Sequence, residues 1–362
     1  EFKLMNRQRF NSLRIIIGLL LLVSGLQVPA YSQGRFTSYF DSDSFWRSIK
    51  VLDEDALIAA DADTLVALVS NRVLDYEDLK FAKEVSEPSG QLHYFLAFVK
   101  EGKWSIKACK DLSSLLERLD KGKSLVVYTE GYGKNFPAGL FRAFAMRAQY
   151  GVNVLYLDYP SINSTKQRLG NWRFVLKEAN KAGVDFVPVL DSLYHYPLRE
   201  YHFPKITLFY HSMGNLALKN MLKNDFSAAF SQRKWVDNLV LNAACVPAKG
   251  YTQWLEQAHF ARNILIHYNP EDRTIKGAQL ISGNRKIGVQ PGEKVLDKVL
   301  YLNFNRFVGD GHSYFLDLPY REKMAQPVAD YMQRVLNGAA INVQDTLVFR
   351  PLDGESKYEL VE

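Results

Sequence analysis

The sequence predicts an α/β protein with a mostly parallel central sheet and helices on both faces. Three observations lead there. Short β-prone runs alternate with segments of helical apolar spacing. The later runs are apolar throughout rather than alternating, as strands buried on both faces are. One stretch, Lys205 to Leu218, passes from a strand through a tight turn directly into a helix. With 362 residues, 47% hydrophobic, the chain is long enough for one large α/β core with modest extras.

In chain order, residues 1–32 read as an export signal. Arg7, Arg9 and Arg14 precede an apolar run from Ile15 to Val23, and small residues follow at Ala30 and Ser32. That run is shorter than the roughly 20 residues a spanning helix needs, so cleavage near Ser32/Gln33 is expected, with no stable membrane span afterwards. Residues 1–4 precede Met5 and are set aside as an added leader or an upstream start. Removing residues 1–32 takes four basic and one acidic side chain from the 45 and 39 of the chain, leaving a net charge near +3. Such a balance points to no nucleic-acid partner. Residues 33–62 form an aromatic lead-in with Phe36, Tyr39, Phe40, Phe45 and Trp46.

The catalytic domain is placed at residues 63–338. Thr64 to Val69 reads as a strand, and Leu92 to Lys100 with Lys103 to Cys109 as a hairpin turning at Glu101-Gly102. These would be the partly antiparallel first strands. Leu112 to Leu119 reads as a helix, Ser124 to Tyr128 as a strand, Phe141 to Tyr150 as a helix and Val152 to Leu157 as a strand. Two helices are expected between Ser161 and Pro204, broken at Gly183 and Pro188. Val236 to Asn242, Asn263 to Tyr268 and Val299 to Phe304 read as the last strands, and residues 339–362 as a C-terminal extension. Cys109 and Cys245 are far apart in sequence. Free, buried thiols are the favoured reading over a bridge, and no metal-ligand spacing accompanies them.

The chemistry gathers at strand ends. In Tyr210-His211-Ser212-Met213-Gly214, a serine at a strand-to-helix corner presents its hydroxyl above the sheet, and the next N–H sits at a helix N-terminus. Of the G-x-S-x-G pattern only Gly214 is present, because Tyr210 occupies the first glycine position. A later strand ends in Asn269-Pro270-Glu271-Asp272-Arg273, and the last is followed by Gly309-Asp310-Gly311-His312. A serine hydroxyl needs a base to take its proton, and the base needs a carboxylate to fix its tautomer. Ser212, Asp272 and His312 supply these in the chain order Ser, acid, His. Glu271 and Asp310 are the alternative acids. The simplest structural roles for the same residues are a helix-capping serine, a turn aspartate and a loop histidine.

With Thr129-Glu130-Gly131-Tyr132-Gly133, Tyr159-Pro160-Ser161, His211-Ser212-Met213-Gly214-Asn215 and Gly311-His312-Ser313-Tyr314, the chain resembles a group of bacterial α/β-hydrolases of largely unknown function. Those read V-H-G-Y-N, W-P-S, H-S-M-G-N and G-H-x-Y. The resemblance spans roughly Thr64 to Leu336. It implies the α/β-hydrolase fold, with Ser212 as nucleophile, Asp272 as acid, His312 as base, and oxyanion N–H groups from Met213 and the Gly131/Tyr132 turn. Tyr210, Tyr159 and Glu130 are candidates for the substrate wall, and Glu130 stands where the group has histidine. The function expected is an exported serine hydrolase acting on small or lipid-like acyl compounds without a cofactor; thioesterase and peptidase chemistry share the machinery. The alternative is an envelope binding or scaffold protein on the same fold.

Overall fold

The computed structural model describes residues 39–53, 64–100, 102–196, 203–292, 294–318, 323–352 and 356–361. The expected export signal and part of the lead-in lie outside them. The strands are β1 (Lys50–Leu52), β2 (Thr64–Ser70), β3 (Arg72–Leu74), β4 (Ala82–Ser86), β5 (His93–Lys100), β6 (Lys103–Cys109), β7 (Leu125–Thr129), β8 (Asn153–Asp158), β9 (Ile206–His211), β10 (Val236–Asn242), β11 (Ala261–Tyr268), β12 (Val299–Asn303), β13 (Phe349–Pro351) and β14 (Lys357–Leu360). Twelve of them form one sheet in the order β1-β6-β5-β2-β8-β7-β9-β10-β11-β12-β14-β13. From β2 to β14 in that order every pairing is parallel. The β2/β5 and β5/β6 pairings are antiparallel, as the hairpin signal predicts.

The apolar strands are explained by two cores. Val126, Tyr128, Val154, Tyr156, Phe209, Val240 and Leu265 join one cluster with the helices Phe136–Tyr150 and Gln326–Leu336. Their neighbours Leu125, Val127, Leu155, Leu157, Leu208, Leu239, Leu241 and Ile266 join the other, with the helices Arg168–Asp185, Val187–His195 and Asn215–Lys223. Successive strand residues face opposite sides of the sheet, so a strand between two helix layers must be apolar at every position. The lead-in aromatics Phe40, Phe45 and Trp46 are buried and meet Trp104, Phe141 and Phe81.

Two boundaries differ from the sequence reading. The helix expected from Phe141 begins at Phe136, because Asn135 caps it by accepting the Ala138 N–H at 3.1 Å and Pro137 fits the first turn. Gly183 does not break its helix. It lies inside Arg168–Asp185, where a Cβ would come 2.4 Å from the Ala217 carbonyl oxygen, so its smallness serves close packing against the helix after Ser212. Helices at Gln326–Leu336 and Arg273–Ser282 and the strands β13 and β14 add to the expected elements; β14 lies beside β12. The cysteines form no disulfide; Cys245 is buried as expected, while Cys109 is only half-buried. Among the described residues no helix is long and apolar enough to cross a membrane.

Candidate active site

Ser212, Asp272 and His312 sit on the segments that follow β9, β11 and β12 respectively, all at the carboxyl edge of the parallel sheet. Ser212 opens a single 3-10 turn between β9 and the helix Asn215–Lys223 and is held at φ +51°. A non-glycine residue pays for that left-handed conformation, so the turn is kept by its surroundings. The Asn215 side chain donates to the Tyr210 and Ser212 carbonyls at 2.9 and 3.1 Å, and the Cys245 N–H donates to the Ser212 carbonyl at 3.0 Å.

Asp272 is fully buried and divides its carboxylate between two tasks. Oδ1 caps the helix Arg273–Ser282 by accepting the Ile275 N–H at 2.9 Å, and Oδ2 accepts from His312 Nδ1 at 2.7 Å. The alternative acids are engaged elsewhere: Glu271 pairs with Lys276 and Asp310 with Arg273, both at 2.7 Å on the exposed side. Asn269 is a positioning residue that sequence reasoning passed over. Its Nδ2 donates to the carbonyls of Gly309 and Gly311, both at 2.9 Å, tying the Asp272 turn to the loop that carries His312.

The turn after β7 closes on the serine corner. A Cβ on Gly131 would lie 2.5 Å from the Ser212 Cβ, and one on Gly214 would lie 2.7 Å from the Glu130 carbonyl oxygen. Each loop therefore needs a glycine facing the other, and neither contact falls at position 210. Tyr210 is free to be large and is buried in the core, 4% exposed. Ser161 of the Tyr159-Pro160-Ser161 motif clamps the same turn: its carbonyl accepts the Gly133 N–H at 2.7 Å, and its hydroxyl donates to the Lys134 carbonyl at 2.8 Å. Tyr159 is buried, and its hydroxyl has no hydrogen-bond partner among the described residues.

Glu130 is 2% exposed and faces inward, away from bulk solvent. Its carboxylate forms an ion pair with Arg142, itself 1% exposed, and accepts from the Tyr128 hydroxyl and, at 2.8 Å, from the Gly131 N–H. Burial by itself would raise its pKa. Arg142 together with His211, Lys134 and the Tyr128 hydrogen bond outweighs that and holds the carboxyl below the usual range. The charge that stands in place of a histidine is thus neutralised by a residue twelve positions on, in the next helix. The Gly131 N–H is engaged by Glu130, so of the expected oxyanion donors Met213 and Tyr132 remain as candidates.

A buried polar chain runs on from Glu130. His211 Nε2 lies 3.7 Å from Glu130 Oε1, and its Nδ1 accepts from Asn242 Nδ2 at 3.0 Å. Asn242 Oδ1 accepts from His267 Nδ1 at 3.1 Å, and the Tyr331 hydroxyl donates to His267 Nε2 at 2.9 Å. The three hydrogen bonds, Asn242 to His211, His267 to Asn242 and Tyr331 to His267, are those of two neutral imidazoles, and His211 meets Glu130 as a charge contact beyond hydrogen-bond distance. Burial pushes His267 down to about 3, and burial, opposed by Glu130, also pushes His211 well below its ordinary value. The His211 and His312 rings are 4.6 Å apart. Among the described residues, no group of three or more His, Cys, Asp or Glu side chains is placed to hold a metal ion.

The fold and the strand-end placement of these residues define an α/β-hydrolase. Residues 107–298, more than half of the chain, match the family described as alpha/beta hydrolase of unknown function (DUF900), and the protein belongs to that family. The crystal structure of a protein assigned as a carboxylesterase from Lactobacillus plantarum WCFS1 is similar at 11% identity and a TM-score of 0.33, over 70% of this chain and 97% of that one. At that level the likeness carries no functional weight. No curated protein matches the chain.

Proposed function

We propose that the protein is an exported serine hydrolase that cleaves esters or related acyl compounds through an acyl-enzyme. The observation that carries the reading is the 2.7 Å bond from His312 Nδ1 to Asp272 Oδ2, with Ser212 held in the left-handed turn after β9 at the same edge of the sheet. That bond fixes the proton on Nδ1 and leaves Nε2 as the base. Ser212 Oγ attacks the acyl carbon as its proton passes to His312 Nε2, and the carbonyl oxygen becomes an oxyanion facing the N–H groups of Met213 and Tyr132. Collapse breaks the bond to the leaving group, which departs with the proton from His312. Water then repeats the sequence on the acyl-serine and releases the acid. The half-buried rings of Tyr132 and Trp172, 6.3 Å apart, support an acyl or lipid-like substrate beside that oxyanion. An unpaired Glu130 carboxylate beside the oxyanion would oppose the developing charge, and its ion pair with Arg142 therefore favours catalysis over a scaffold role.

The test is labelling of residues 33–362 with a fluorophosphonate probe. Labelling that disappears in Ser212→Ala is expected; a folded protein that does not label refutes the active-serine reading. Export is proposed on residues 5–32 alone. Protein recovered outside the cytoplasm should begin at Gln33, and cytoplasmic retention with an intact N-terminus would overturn that part.

A further inference from the structure

Two hollows of about 660 and 570 Å³, lined by none of Ser212, Asp272 or His312, adjoin one another and share Lys249, Gly250 and Gln253 in their walls. The first also carries Arg285 and Lys294, the second Lys219 and Lys223, and among the described lining residues the only acidic one is Asp225. Among the described lining residues, five cations face one anion, far from the near balance of the whole chain. Among the described residues none of the five has a carboxylate within ion-pair distance, although ion pairs are common over the rest of the surface. Lys219 and Lys223 are four residues apart on one helix and share a face. A further ammonium, Lys286, is 4% exposed and has no hydrogen-bond or ion-pair partner among the described residues. Burial lowers the pKa of Lys219, and repulsion from Lys223 and Lys286 adds to it. Like charges gathered in a concavity cost free energy that a bound anion returns.

We infer that the joined hollows bind a linear polyanion, a chain bearing phosphate or carboxylate groups, with Lys249 at their junction and one anionic group in each hollow. The concavity suits a chain, whereas a flat bilayer would reach only the rim. Neither hollow is lined by Ser212, Asp272 or His312, and net charge conceals the site because the excess is local.

Binding of linear inorganic polyphosphate to residues 33–362, read by calorimetry over a range of salt concentrations, tests it. The Lys249→Gln/Arg285→Gln variant should bind at least tenfold more weakly, with a shallower salt dependence. Arg118→Gln/Lys121→Gln removes two exposed charges elsewhere and should leave binding unchanged. Both pairs are exposed, and circular dichroism confirms folding. Equal binding by wild type and the groove variant, or equal loss in both variants, overturns the inference. So does binding to anionic phospholipid vesicles without binding to polyphosphate, which would make the surface a membrane contact.

Discussion

Replacing Arg142 with methionine should destabilise the protein by about 3 kcal/mol at pH 7.5, chiefly through what it leaves behind. Breaking one side of a buried ion pair typically costs about 3–5 kcal/mol, because the remaining charge is stranded. Here Glu130 keeps the Tyr128 hydroxyl and the Gly131 N–H, so the lower end applies. The pH dependence has a definite sign. In the wild type the depressed Glu130 pKa contributes stability above the unfolded value that is lost as pH falls through the folded one. In Arg142→Met burial raises the Glu130 pKa above the unfolded value. The deficit is then largest at neutral pH and shrinks as pH falls through the raised pKa. Urea unfolding followed by circular dichroism at pH 7.5 and 5 measures both effects, with Glu130→Gln/Arg142→Met as the rescue. A single variant within about 1 kcal/mol of wild type at pH 7.5, or a double variant no more stable than the single, would refute the account.

Other consequences follow from the same site. Asp272→Asn keeps an oxygen to cap Ile275 but cannot hold the Nδ1 proton of His312, so fluorophosphonate labelling should slow by on the order of 10³–10⁴-fold with little change in stability; near-wild-type labelling rates would contradict the assignment of Asp272. Gly131→Ala places a methyl 2.5 Å from the Ser212 Cβ and should cost about 1–3 kcal/mol as well as most of the labelling, which a melting curve and a probe gel would report together. His211 and His267 have folded pKa values below the unfolded one, so their contribution to stability is present above about pH 6.5 and falls as pH drops toward the folded values. Each should add a slope of about 1.4 kcal/mol per pH unit in that window, and a flat urea midpoint between pH 6.5 and 4.5 would show that these imidazoles are not held neutral.

The parallel sheet and the placement of Ser212, Asp272 and His312 after strands β9, β11 and β12 were legible in the sequence because they depend on local order. A strand buried on both faces is apolar at every position, and residues needed at its carboxyl edge follow it directly in the chain. What was not legible are the partners that make those residues tenable. Nothing near Glu130 in sequence announces Arg142 as its counter-charge, since the pairing exists only once the helix after the Gly131 turn packs back on β7. Asn269 reads as a turn residue until the Gly309 and Gly311 carbonyls arrive from forty residues away. His211 and His267 lack any shared motif, and only the adjacency of β9, β10 and β11 sets Asn242 between them. The helix start at Phe136 could have been found, because Asn135 followed by Pro137 is a capping signature.

The facing glycines of the two loops work as a latch. Because Gly131 seats against Ser212 and Gly214 against Glu130, neither loop can be lengthened, enlarged or shifted without displacing its counterpart. The reacting centre is therefore inherited as one mechanical part. A position such as 210, which motif searches treat as diagnostic, can meanwhile drift to a large side chain at no cost to the machinery.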